Sequence, residues 1–213
     1  MYTVNNMKFD IIVIGGGLSG CSAAEVLADA GRKVALFSEG LSLHDASEGP
    51  ASHKEQARPP YAALSALAAK GVTVFRGDSI IKAELSGDGS CVTKVFSRNL
   101  GDEPLEAAAY ILATGKFFSR GIISHMGGMY EPVFNADVEF EADHSKWFNP
   151  DFFALQPYES FGVKTDSEGH VLKAGISVNN LYAAGQVLAG DPMSDSEIEA
   201  SGKAAAKEVL KKL

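Results

Sequence analysis

The stretch FDIIVIGGGLSG, residues 9 to 20, constrains the fold more than any other part of the chain. Phe9 to Ile14 is an apolar, β-branched run of the kind found in a parallel strand buried on both faces. It ends in glycines, and residues 18 to 30 then carry apolar side chains at helical spacing. Gly31 sits where that helix would stop before a second strand, Val34 to Phe37. The glycines have the G-x-G-x-x-G spacing of a dinucleotide-binding βαβ unit, and each has a distinct task. Gly15 makes the tight turn, Gly17 lets backbone approach a pyrophosphate, and Gly20 lets helix and strand pack closely. Gly16, Leu18 and Ser19 complete the loop, where first-turn N–H groups face the phosphates.

A ribose-binding residue belongs at the end of the second strand, roughly 20 residues beyond the loop. The chain offers Ser38 and Glu39 there. Glu39 would chelate a ribose diol with two acceptor oxygens, whereas Ser38 would make a single weaker contact. Both remain candidates at this point.

Further along, YAALSALAAK reads as an amphipathic helix and VTVFRG as a third strand. Strands separated by Gly-Asp-Gly and Gly-Asp-Glu-Pro turns form a β-meander that returns to a buried strand at Tyr110 to Ala113. Residues 116 to 175 are irregular and rich in aromatics, among them Trp147, Phe148, Phe152, Phe153, Tyr158 and Phe161. Core packing is the simpler account of these rings, and a cofactor wall or partner surface is the alternative. NNLYAAG is a last glycine-ended strand. The tail is a helix with two overlapping S-x-x-E boxes, Ser194 with Glu197 and Ser196 with Glu199.

The expected architecture is α/β. One dinucleotide-binding Rossmann-like domain over residues 1–213 has a central parallel sheet, a β-meander and a C-terminal helix. Its parts are a βαβ unit at 9–50, a helix, strand and meander at 60–115, the aromatic segment at 116–175, and the last strand and helix at 176–213. With 46% hydrophobic residues the chain has material for a full core. Its net charge of −8 disfavours nucleic acid and anionic lipid as direct partners. Cys21 and Cys91 lie in no metal-ligand spacing, so neither zinc nor an iron–sulfur cluster is expected on ligands from this chain. Cys21, just after the loop, fits a small packing residue better than an activated thiol. A reduced, cytoplasmic setting follows, with any membrane contact made through partner subunits.

The glycine loop, the meander returning to YILATG, and the late NLYAAGQ strand together resemble the FAD-binding fold of the fumarate reductase and glutathione reductase superfamily. The resemblance implies that Ala113, Thr114, Gly115, Gly185 and Gln186 also line the cofactor. The closer resemblance is to the B subunit of anaerobic glycerol-3-phosphate dehydrogenase. It is carried by LHDASEG near 43, ATGKFFSRGI from 113, EPVFNADV from 131, DFFALQPYESFGVKTD from 151 and NLYAAGQVLAGDP from 180. It implies FAD, with flavin mononucleotide as the alternative because the adenosine half depends on the Ser38 and Glu39 position. It also implies oxidation of glycerol 3-phosphate beside a catalytic flavoprotein subunit and an iron–sulfur subunit, with electrons passed toward quinone. A homo-oligomer stays open.

The chain departs from that family twice. The family's long middle region would fall between LHDASEGPAS and YAALSALAAK, so a cap or substrate domain is expected to be absent or vestigial. The flavin-ring side would then be open or covered by another chain. A flavin-binding or assembly module that has lost its substrate domain is therefore the alternative to an oxidoreductase subunit. The glycine-rich segment after the family's Asp-Pro is replaced by MSDSEIEASG, which puts Asp195 and Glu197, beside Asp191 of the Asp-Pro itself, near the last helix's N-terminus. These carboxylates either cap the helix or offset its positive end near a flavin. A glycerol phosphate site would need cations and a base, for which His44, Arg120 and His125 are the weak candidates, with Lys116 nearby.

Overall fold

A computed structural model describes residues 8–39, 60–151 and 153–213. Strand β1 (Lys8–Ile14) leads into helix α1 (Leu18–Asp29) and strand β2 (Val34–Ser38). Helix α2 (Pro60–Ala69) and strand β3 (Thr73–Arg76) follow. The meander is β4 (Ile80–Leu85), β5 (Val92–Ser97) and β6 (Pro104–Leu112). The aromatic segment holds only short pieces: the hairpin β7 (Ile123–His125) with β8 (Gly128–Tyr130), and the pair β9 (Val138–Glu139) with β10 (Gly162–Val163). Strands β11 (His170–Lys173) and β12 (Ile176–Ala183) then lead to helix α3 (Asp195–Lys212).

The main sheet runs β11-β12-β6-β1-β2-β3, and every pairing in it is parallel except β11 with β12. Strand β6 serves two structures. Its first residues pair with β5 in the meander, and the rest pair with β1 and β12. It is therefore longer than the Tyr110 to Ala113 run suggests.

The apolar run of β1 has a direct structural cause. Ile12 and Ile14 face one core with Phe37, Tyr110, Leu112 and the meander, while Ile11 and Val13 face a second core with Leu27, Leu36, Ile111 and Val209. Both faces are covered, so these positions have no water to accept a polar side chain. On the helical side α1 and α3 lie close together. A Cβ at Gly202 would collide with the backbone of Ser19, so only glycine permits that approach. Of the two S-x-x-E boxes, Ser194 with Glu197 forms the cap of α3, while Ser196 and Glu199 lie within the helix.

The aromatic segment divides. Phe161 is buried, and Trp147 and Tyr158 pack against the same core. Phe148 and Phe153 are exposed. A groove of about 630 Å³ runs beside them, lined also by Pro150 and Leu155. Phe152 and residues 40–59 lie outside the described residues, and with them the segment expected to leave the flavin-ring side open.

Candidate functional site

Four sequence segments meet at the carboxyl ends of the parallel strands. At Gly15 the backbone has φ +115°, and its N–H donates to Phe37 O at 2.9 Å. A side chain there would strike Ala113 O, and Ala113 N–H in turn donates to Ile14 O at 2.8 Å. Ala184 N–H donates to Leu112 O at 2.9 Å, and Ser19 Oγ donates to Ala184 O at 3.4 Å. The glycine loop, the end of β2, the Ala-Thr-Gly turn and the Ala-Gly-Gln turn thus form one surface. It lies where β1 has β2 on one side and β6 on the other, the switch point at which open α/β sheets accept ligands.

The glycines differ in what surrounds them. Side chains at Gly15, Gly16 and Gly20 would collide with Ala113 O, Ser38 and Gly15 O respectively. At Gly17 nothing of the protein lies within 4 Å of an added Cβ. A ligand can touch the loop backbone there. Gly17 is also the N-cap of α1, which has no side-chain cap and no acidic residue in its first turn. The partial positive charge of this helix end is left for an outside anion. The arrangement fits a diphosphate.

Ser38 and Glu39 now separate. Ser38 is buried, its side chain packed beneath Gly16, and its carbonyl accepts Gly77 N–H at 2.8 Å. Glu39 is half-exposed, and Arg98 Nη2 donates to its Oε1 at 2.6 Å. Gly115 and Gly185 both take positive φ, +72° and +74°. Gly185 N–H donates to Ser201 Oγ at 2.9 Å, and Gln186 Nε2 donates to Met193 O at 3.1 Å. Neither Ser201 nor Gly202 was singled out by sequence. A glycine inside a helix is a signal of close backbone approach, and Gly202 carried it.

Of the carboxylates near the N-terminus of α3, Glu197 serves the helix. Glu197 accepts Ser194 N–H at 2.8 Å and Ser194 Oγ–H at 2.6 Å, and these bonds hold its carboxyl below the usual range. Its place is the capping box. Cys21 is a packing residue: burial, then Glu25, push its thiol up to about 11, and Sγ donates to Gly16 O at 3.3 Å.

The substrate candidates do not converge. Lys116 donates to Glu159 O, and burial lowers its pKa against the pull of Glu159. Arg120 is exposed at φ +59° in the turn after the Ala-Thr-Gly segment. His125 is exposed on β7, its Nδ1 accepting Gly127 N–H at 3.1 Å and its ring 5.5 Å from that of Tyr130. His44 lies outside the described residues. Among the described residues no group of His, Cys, Asp and Glu could hold a metal ion. No helix among them is long and apolar enough to cross a membrane.

Comparison with known proteins bears on the family and the fold. The chain is 41% identical over 124 residues to the anaerobic glycerol-3-phosphate dehydrogenase B subunit of Yersinia enterocolitica, covering 58% of this chain and 29% of that protein. It is 42% identical over 125 residues to the protein of the same name from Actinobacillus succinogenes, covering 56% and 29%. The matched region therefore spans less than a third of the length of these relatives. Among solved structures, a thioredoxin reductase from Gloeobacter violaceus superposes with a TM-score of 0.60 at 13% identity, over 98% of this chain and 96% of that one. That likeness concerns the fold. The FAD binding domain family matches residues 10–52 and 43–193, and the chain belongs to it.

Proposed function

We propose that this chain is the FAD-binding component of a flavoprotein oxidoreductase related to the B subunit of anaerobic glycerol-3-phosphate dehydrogenase. In this reading it passes electrons from glycerol 3-phosphate oxidation toward a quinone through partner subunits. The observation that carries it is Gly17, the one glycine of the loop with open space around it, at an uncapped helix end where four motif segments meet. Gly15 to Gly20 would hold the pyrophosphate, Glu39 the adenosine ribose, and Ala113 to Gly115 with Gly185 and Gln186 the flavin side. Bound FAD supplies the hydride- and electron-accepting chemistry, and the protein's part is to position it. The partners in this reading are a catalytic flavoprotein subunit and an iron–sulfur subunit, with the chain in the cytoplasm and reaching the membrane through them.

A second reading is favoured by one observation. Lys116 is held on Glu159 O, while Arg120 and His125 are exposed and join no cluster. Among the described candidates no substrate site is assembled, and a flavin-binding or assembly module that does not itself oxidise substrate would need none; His44 lies outside the described residues. Denaturing the purified protein should release FAD, and release of NAD would sink both readings. The two then differ in turnover. Reduction of a dye by glycerol 3-phosphate with the chain alone would eliminate the module; activity in its partners that rises with its flavin content would support the oxidoreductase.

A further inference from the structure

The Glu39–Arg98 pair has no place in the glycine-loop motif, and its surroundings are unusually fixed for a surface contact. We propose that Arg98 is a specificity residue of the cofactor site: it orients Glu39 toward the adenosine ribose and so favours FAD over flavin mononucleotide. The inference rests on the FAD reading and deepens it.

An ordinary exposed ion pair holds two long side chains on independently moving backbone and contributes little. Here both backbones belong to one frame. Gly77 and Asp78 N–H groups donate to Ser38 O at 2.8 and 3.3 Å, tying the end of β3 to the end of β2, one residue before Glu39. Asp78 is buried, and its Oδ1 accepts Ser79 N–H at 2.8 Å and Asn99 N–H at 3.1 Å. Arg98 N–H donates to Ser79 O at 3.0 Å, and Asn99 Nδ2 donates to Gly77 O at 3.1 Å. The turn that carries Arg98 is thus bonded to the same strand ends that carry Glu39. With Ser38 packed beneath Gly16, those strand ends stand beside the glycine loop.

The pair also resolves an electrostatic conflict. The chain has a net charge of −8, and an unpaired Glu39 would add a negative charge beside a dianionic diphosphate. Arg98 offsets that charge while engaging Oε1, which leaves Oε2 to accept from a ribose hydroxyl. The planar guanidinium aims its Nη2–H at Oε1 in a fixed direction, whereas a lysine ammonium would hold it only as a freely rotating point charge. Flavin mononucleotide has no adenosine, so its binding should not depend on the pair.

The test is a titration of flavin-free protein with FAD and, separately, with flavin mononucleotide, for wild type, Arg98→Ala, Arg98→Gln, Arg98→Lys, Glu39→Gln and the Glu39→Gln/Arg98→Ala double variant. Expected is a rise of about tenfold or more in the FAD dissociation constant for Arg98→Ala and Arg98→Gln, with the mononucleotide's constant unchanged. Arg98→Lys should recover part of the loss, and Arg98→Ala should cost little more once Glu39 is Gln. Equal weakening of both flavins would mark a general disturbance of the fold, and unchanged FAD affinity would mark a plain surface contact; either overturns the assignment. A wild-type protein that binds neither flavin overturns the FAD reading itself and the assignment with it.

Discussion

Within one short loop, glycines separated by three positions stand in opposite surroundings. Gly20 is needed by the protein, because its Cβ would run into Gly15 O, a backbone atom that cannot turn aside. At Gly17 the protein sets no such demand, because a Cβ there would enter open space and its φ of −78° is one any residue adopts; in the proposed role it is the ligand that needs it. The two should therefore fail differently. Gly17→Val is expected to keep stability within about 0.5 kcal/mol while weakening FAD at least about a hundredfold. Gly20→Ala is expected to lose about 1–3 kcal/mol of stability, with flavin loss following from the disturbed loop. Chemical denaturation of the flavin-free protein, paired with flavin titration, separates them; a Gly17→Val protein that retains flavin would remove the phosphate role. Glu131 shows the same local specificity away from the site. Fully buried, it accepts the N–H groups of Val133 and Phe134 at 2.9 and 2.7 Å and so closes the turn before Asn135, which takes φ +53°. Burial pushes its carboxyl up against the pull of those donors and of Lys173.

At the scale of elements, what holds each one varies with how local its contacts are. Helix α3 is closed at its start by Ser194 and Glu197, so Ser194→Ala should cost about 1 kcal/mol, while Ser196→Ala should stay within about 0.5 kcal/mol. Equal losses in denaturation would mean that the box is not what caps the helix. The β11–β12 hairpin is held by Asp166. Its Oδ1 accepts the N–H groups of Glu168 and His170, both at 2.9 Å, and its Oδ2 accepts Ser177 Oγ–H at 2.7 Å and lies 3.0 Å from His170 Nδ1. Burial raises the carboxyl, but the bonds from Ser177 and His170 outweigh it and leave Asp166 below its ordinary value. For an acid with a depressed folded pKa, the stabilisation is present above the unfolded value, near about 4, and is lost as pH falls through the folded one. The stability difference between wild type and Asp166→Asn should therefore be full at about pH 6 and shrink below about pH 4; a constant difference down to about pH 2 would rule the mechanism out. These elements also mark what could be read from sequence. Strands β1, β2 and β12 and helices α1 and α3 announce themselves by period, caps and glycines, because their signals lie within a few residues. The segment from 116 to 175 does not, because carboxylates such as Glu131 and Asp137 bond backbone there; Asp137 accepts Ala174 and Gly175 N–H groups at 2.8 and 2.7 Å from far along the chain. The same holds for the site. Gly15, Gly16 and Gly20 are legible because a side chain at each would meet protein atoms, whereas Arg98 and Ser201 acquire their places only through the fold.

For the whole molecule, the balance between charge and exposed apolar surface decides how the chain behaves alone. Phe118, Met126, Phe148, Phe153 and Leu155 are all exposed, and the last three line one groove of about 630 Å³. Such clusters on a protein surface favour association. Burying a large apolar side chain contributes about 1.5–3 kcal/mol, so two or three per copy supply roughly 3–9 kcal/mol. Association itself costs an estimated ~4–15 kcal/mol, and a net charge of −8 on each copy adds repulsion. The two sides nearly cancel. The isolated chain is therefore expected to sediment as a monomer throughout the micromolar range, to associate only at about millimolar concentration or above, and to bind an apolar fluorescent dye throughout. Phe148→Ser with Leu155→Ser should reduce dye binding and the weak association together while leaving the thermal midpoint within a few degrees, since both side chains already face solvent. A tight dimer at low micromolar concentration, or dye binding unaffected by the double change, would show that this groove is not the surface through which the chain associates.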